Sequence, residues 1–157
     1  MKKLLLAVAV LTLMGTSASA QIYAVGARLG GGQGYNAEAS VQWSFLGQRL
    51  ETDLGWANVA HHRGFCLTGI YQWVNPISDG FVWYAGVGAR FDRWHWEKGV
   101  RSHDYDFAVA LVGQVGVEYT FEFIPLQLSI DLRPNFFLHP DTDLIWGDIA
   151  LGIRYLF

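Results

Sequence analysis

Ser102, His103 and Asp104 stand side by side, and these are the residue types of a nucleophile, its base and the group that orients the base. Neighbours in sequence point apart, however, and such triads normally converge from separate segments, so the run alone does not make an active site. The histidines raise a second chemistry. His61, His62, His95, His103 and His139 are all the chain has, and Asp104, Asp141 and Asp143 lie near them. Neutral imidazole with carboxylate suits zinc or copper. Yet no pair has a zinc spacing such as His-Glu-x-x-His, and polar loops gather histidine without a metal. Cys66 is the single cysteine, so no internal disulfide can form, and a small buried residue is its simplest role.

A further set of charges is strung along the chain. Arg28, Arg90, Arg133 and Arg154, with Glu38, Glu51, Asp53, Glu118, Asp131 and Asp148, each alternate with apolar or small residues. A period of two is that of a strand with unlike faces, so strands are the elements that must position these groups. Eight such segments follow one another: Ile22–Gly30, Tyr35–Phe45, Arg49–Ala57, Phe65–Val74, Phe81–Asp92, Tyr105–Phe121, Leu126–Phe136 and Gly147–Phe157. The glycine run at 30–34 could pass for a phosphate loop, but no helix follows it. Asn75–Gly80 reads as a turn from its Asn-Pro and Asp-Gly pairs. Pro134 lacks an amide hydrogen, which predicts a bulge or the end of regular pairing there. All five histidines fall in the longer connections, Asn58–Gly64, Arg93–Asp104 and Phe137–Leu144.

One face of these segments carries the charge and the other is almost wholly apolar and aromatic. Turned inward, Trp43, Tyr71, Trp73, Trp83 and Phe91 would overfill a narrow barrel. Turned outward, they are too continuous a surface for water. Hydrocarbon resolves both objections, because a closed barrel satisfies its backbone without solvent. No later segment has the roughly 18 continuous apolar residues of a membrane helix. The aromatics also sort by height. Trp43, Phe45, Tyr71, Trp73, Phe81, Trp83, Tyr119, Phe121, Tyr155 and Phe157 fall near one end of the strands. Tyr35, Trp56, Phe65, Phe91, Phe107 and Phe136 fall near the other. Belts about ten residues apart on tilted strands span roughly 25 Å. The expected fold is therefore all-β, an eight-stranded antiparallel up-and-down transmembrane β-barrel.

The chain opens with Lys2 and Lys3, runs apolar from Leu4 to Met14 and reaches an Ala-x-Ala site at Ala18–Ala20, the pattern of a secretory signal. Residues 1–20 are thus expected to be a signal peptide cleaved after Ala20, leaving the barrel as 21–157. Gln21 in place of a cysteine gives no sign of lipoprotein processing. Without Lys2 and Lys3, 9 of the 11 basic residues remain against 14 acidic ones, a net charge of −5. A mildly acidic product argues against nucleic acid.

At the C-terminus Ile149, Leu151, Ile153, Tyr155 and Phe157 alternate with Asp148, Ala150, Gly152 and Arg154. This ending resembles the assembly signal of bacterial outer-membrane β-barrel proteins, in which the last strand, here with Tyr155 and Phe157, is read by the barrel assembly machinery. With the leader, the strand count and the alternation of short and long connections, the chain from 21 onward resembles the small eight-stranded outer-membrane barrels of the OmpA membrane domain and its OmpX-like relatives. The resemblance implies a monomer in a Gram-negative outer membrane, in contact with its lipid and lipopolysaccharide, with short connections in the periplasm. Members of that group include structural proteins, adhesion or resistance factors and lipid-modifying enzymes, so the fold does not choose among them. Arg93, Trp94, Trp96, Lys98 and Arg101 could hold lipopolysaccharide or glycan by charge and stacking. The preferred expectation is a structural or surface-interaction role, without enzymatic activity or cofactor, and a lumen plugged by paired charges. The alternatives are an outer-leaflet lipid hydrolase or acyltransferase using rim His, Ser and Asp, and a narrow pore for small solutes.

Overall fold

The computed structural model describes residues 21–30, 37–45, 47–59, 62–96, 107–139 and 142–157, with side chains except at 21, 22, 45, 57–59, 62, 63 and 94–96. The eight strands are β1 (Gln21–Gly30), β2 (Ala37–Phe45), β3 (Gln48–Val59), β4 (His62–Ser78), β5 (Phe81–Trp96), β6 (Phe107–Thr120), β7 (Leu126–His139) and β8 (Asp143–Leu156). Each pairs antiparallel with the next, and β8 returns to β1, so the sheet is a closed barrel. Stepping across the register from Val25 passes Val41, Thr52, Gly69, Ala89, Leu111 and Phe136 and arrives at Leu144. Val25 itself pairs with Tyr155, at the other end of β8. The strands are therefore strongly staggered, as closure of a tilted sheet requires.

The period of two is visible in the burial of side chains. Along β6, and along β8 from Asp148 onward, every second residue is buried, and the buried ones include Glu118, Asp148 and Arg154. Outside, Leu111, Ile149 and Leu151 are 54%, 59% and 57% exposed, whereas Glu51 and Arg154 inside are 0%. Apolar out and ionic in is the reverse of a water-soluble protein, and it fits a wall bathed in hydrocarbon. Trp43 departs from its expected place in the outer belt, for it has the register of the outward face but is only 9% exposed. Ring pairs mark the remaining belts. Tyr71–Trp73, Phe81–Tyr119, Tyr119–Phe121 and Tyr155–Phe157 meet at the end of the short turns, with centroids 4.5–5.3 Å apart. Phe65, Phe91 and Phe107 form a row at the opposite end.

Several strand limits differ from the sequence reading. β4 runs on through Asn75-Pro76 to Ser78, and only Asp79-Gly80 turns. Pro76 is tolerated because the register shifts between it and Ser78, where a missing amide hydrogen costs no ladder bond. Gly80 takes φ +78°, and its carbonyl accepts from the Thr120 amide at 2.8 Å. At the other end β3, β4, β5, β7 and β8 extend into segments read as loops. Backbone pairing continues there beyond the level at which the outer face must be apolar. Pro134 does mark a bulge, since the β7–β8 register shifts between Arg133 and Asn135. Across β6, the bare face of Gly113 leaves room for its ring, whose Cγ lies 3.1 Å from where a Cβ would stand.

Candidate functional site in the barrel interior

Alternation turns Arg28, Glu38, Glu51, Asp53, Arg90, Glu118, Asp131, Arg133, Asp148 and Arg154 into the lumen, where each is buried. Two further ions join them. Arg49, omitted from the charge set read from sequence, lies inside at 4% exposure, and Asp92 at 2%. Both share the parity of their neighbours Glu51 and Arg90, the signal that places them. The count becomes five arginines against seven carboxylates.

These groups make one connected network along the barrel. Near the turn end, Arg49 grips both oxygens of Glu118 at 3.0 and 2.9 Å and donates through Nε to Gln72 at 2.6 Å. Its guanidinium also lies 5.1 Å from the Tyr84 ring. Gln72 donates to Gln114, and Gln114 to Glu51. Glu51 is the hub, accepting also from Gln42 at 2.7 Å, from Arg154 at 2.9 Å and from Arg133. Arg154 spreads its remaining donors over Ser40 and Ser129. From Arg133 the path continues to Asp53 at 2.5 Å and to Glu38 at 3.3 Å. Arg28 joins Glu38 to Asp131 and Asp148, at 3.3, 2.8 and 3.1 Å. Arg90 closes the far end, 2.9 Å from Asp92 and 3.8 Å from Asp148.

A buried ion is tolerable only when its partners replace the water it lost. Guanidinium suits this, because its planar fork can serve several carboxylates at once. Small inward residues leave the space. At Gly152 an added Cβ would meet Ser129 Oγ and the Arg154 guanidinium, and at Gly116 it would meet Tyr84 Cζ at 2.6 Å. Cys66 is buried in the same wall, 3.5 Å from a Glu38 oxygen. The interior is an ionic core.

The loop candidates fare differently. Ser102, His103, Asp104 and His61 lie outside the described residues. His62 and His95, read as loop residues, are in β4 and β5, where they pair with Trp96 and Arg63. His139 is in β7, its ring stacked on Phe107 at 4.5 Å on the outer face. Among the described residues no three His, Cys, Asp or Glu side chains are grouped to hold a metal ion. Tyr155 and Phe157 meet edge to face at the turn end, and the Phe157 amide donates to the Tyr23 carbonyl at 3.1 Å across the seam.

No protein-family model matches this chain, and neither does any curated protein. Among solved structures it is similar to Neisserial surface protein A (NspA), with a TM-score of 0.60 and 14% sequence identity over 88% of this chain and 96% of that one. At that identity the likeness is one of fold: strand number, antiparallel order and closure are shared while most side chains are not. The chain has the fold of the small eight-stranded outer-membrane β-barrels.

Proposed function

We propose that this protein is a monomeric barrel of a Gram-negative outer membrane with a structural or surface-interaction role, and that its lumen is closed to ions. The observation that carries this reading is the continuous network of ion pairs, bridged at one step by Gln72 and Gln114, from Arg49–Glu118 at one end to Arg90–Asp92 at the other. Opening a path for solute means separating pairs whose partners are desolvated, at a cost of several kcal/mol for each ion left alone. In this reading residues 1–20 are removed after Ala20, the short turns face the periplasm, and Tyr155 and Phe157 present the closing strand to the assembly machinery. The long connections on the other side meet lipopolysaccharide and the cell's surroundings.

Conductance tests the claim. Purified protein in a planar bilayer should give at most rare, small openings. Steady ion-selective current from the unmodified protein would replace this reading with that of a pore. Replacing Ser102 and His103 and analysing the lipid A of the cell tests the enzymatic alternative, and an unchanged lipid A is the expected result.

A further inference from the structure

Arg93 is the exception to the separation of charge from the outer wall. It was expected in the longest loop but lies within β5, one residue beyond buried Asp92 and on the same face as Phe91. Among the described arginine side chains it alone is outside the lumen, exposed, and it makes no ion pair or hydrogen bond among the described residues. Its neighbours in register are aromatic: Phe65 on β4, then Trp56 on β3, and Phe107 on β6. The row beneath is Leu67, Phe91 and Val109, wholly apolar. Phe91 stands 6.4 Å from Phe65 and 6.2 Å from Phe107, so the rings form one band around the strand position of Arg93.

Such a band sits where hydrocarbon gives way to headgroups. A guanidinium anchored there cannot turn into the hydrocarbon, and it extends toward the polar layer. The described acids outside the lumen lie elsewhere: Asp79 and Glu122 at the turn end, and Asp143 on β8 beside Phe137. Among the described residues, then, no carboxylate is offered to it, and the membrane's own oxyanions are the ligands its position at this level suits. We propose that Arg93, walled by Trp56, Phe65 and Phe107, is a binding site for a phosphate group of an outer-leaflet lipid. The fork of donors takes two phosphate oxygens together, and the rings fix the depth at which it does so. The chain as a whole carries a net charge of −3, so general attraction does not explain such binding and a local cation is needed.

The inference rests on the reading of the chain as an outer-membrane barrel, and the two can fail separately. Heat-dependent mobility on a gel reports the barrel, and native mass spectrometry of the full chain in detergent reports bound lipid. The probes are diphosphorylated lipid A and the same lipid with its phosphates removed. Unmodified protein should hold the phosphorylated form about tenfold more tightly than R93Q does, the factor expected from one lost charge-assisted bond. R93K should fall between them, since an ammonium lacks the fork. The phosphate-free lipid should bind both proteins alike. Equal retention by unmodified protein and R93Q would overturn the proposal. So would indifference of the unmodified protein to the phosphates, a comparison that needs no variant, or a second copy of the chain occupying the face in place of lipid.

Discussion

Arg133 bonds to Glu38, Glu51 and Asp53 and faces Asp131 at 3.6 Å, more acidic partners than any other arginine in the lumen has. Arg133→Met should therefore cost about 3–5 kcal/mol, because it strands several buried carboxylates together. Arg49→Met removes a single ion pair, with Glu118, and should cost less. Urea unfolding in lipid vesicles, followed by tryptophan fluorescence, measures both; equal losses would show that partner number does not govern stability. The glycines allow a sharper comparison. A methyl at Gly116 meets Tyr84 and the Ile130 carbonyl, whereas one at Gly69, on the outer wall, meets nothing within 4 Å. Gly116→Ala should destabilise by about 1–3 kcal/mol, and Gly69→Ala should leave the unfolding midpoint nearly unchanged. At this scale the sequence was readable through parity. Ten interior ions follow from alternation with apolar residues, and Asp92 from its place two beyond Arg90. Arg49 escaped because it stands at a strand's first turn, with no apolar residue before it to show a face. Which arginine would meet which acid was not legible, since contacts such as Arg133 of β7 to Asp53 of β3 cross the lumen between distant strands.

The strands have one demand on each face, and the outer one is the easier to test. Leu111 and Leu151 point outward, and Arg at either should cost about 2–4 kcal/mol near the middle of the membrane. The same substitution at Ile124, in the turn between β6 and β7, should cost far less in the same unfolding assay. Deleting Phe157 removes its bond to Tyr23 and its contact with Tyr155. The level of folded protein in the outer membrane should drop more than after deletion of any loop residue, as fractionation and gel mobility would show. Strand existence and order could be read from the pattern, but strand ends could not. Alternation of polarity stops where the hydrocarbon stops, while the hydrogen-bonded ladder continues, as the added length of β4 and β5 shows. Pro76 misled for a related reason: a proline breaks the interior of a sheet but sits comfortably at a register shift.

Taken whole, the barrel keeps its ion pairs buried in the lumen, away from bulk water. Buried charges are screened far less than exposed ones. Raising sodium chloride from about 0.1 to 1 M, a range over which surface electrostatics collapse, should barely move the urea midpoint. A large salt-induced loss would mean that the lumen is open to electrolyte. The ion pairs also bear on how such a barrel can come into being. Arg28 of β1 reaches Asp131 of β7 and Asp148 of β8, and Arg154 of β8 reaches Ser40 of β2 and Glu51 of β3. None of these contacts exists until β8 lies against β1. A sheet curled but unclosed would show bare guanidinium and carboxylate groups to lipid, so halfway species are excluded and closure is cooperative. The same charges that pair in the finished lumen thus forbid the protein from entering the membrane strand by strand: its interior must be assembled as the wall is sealed, or under cover of another protein.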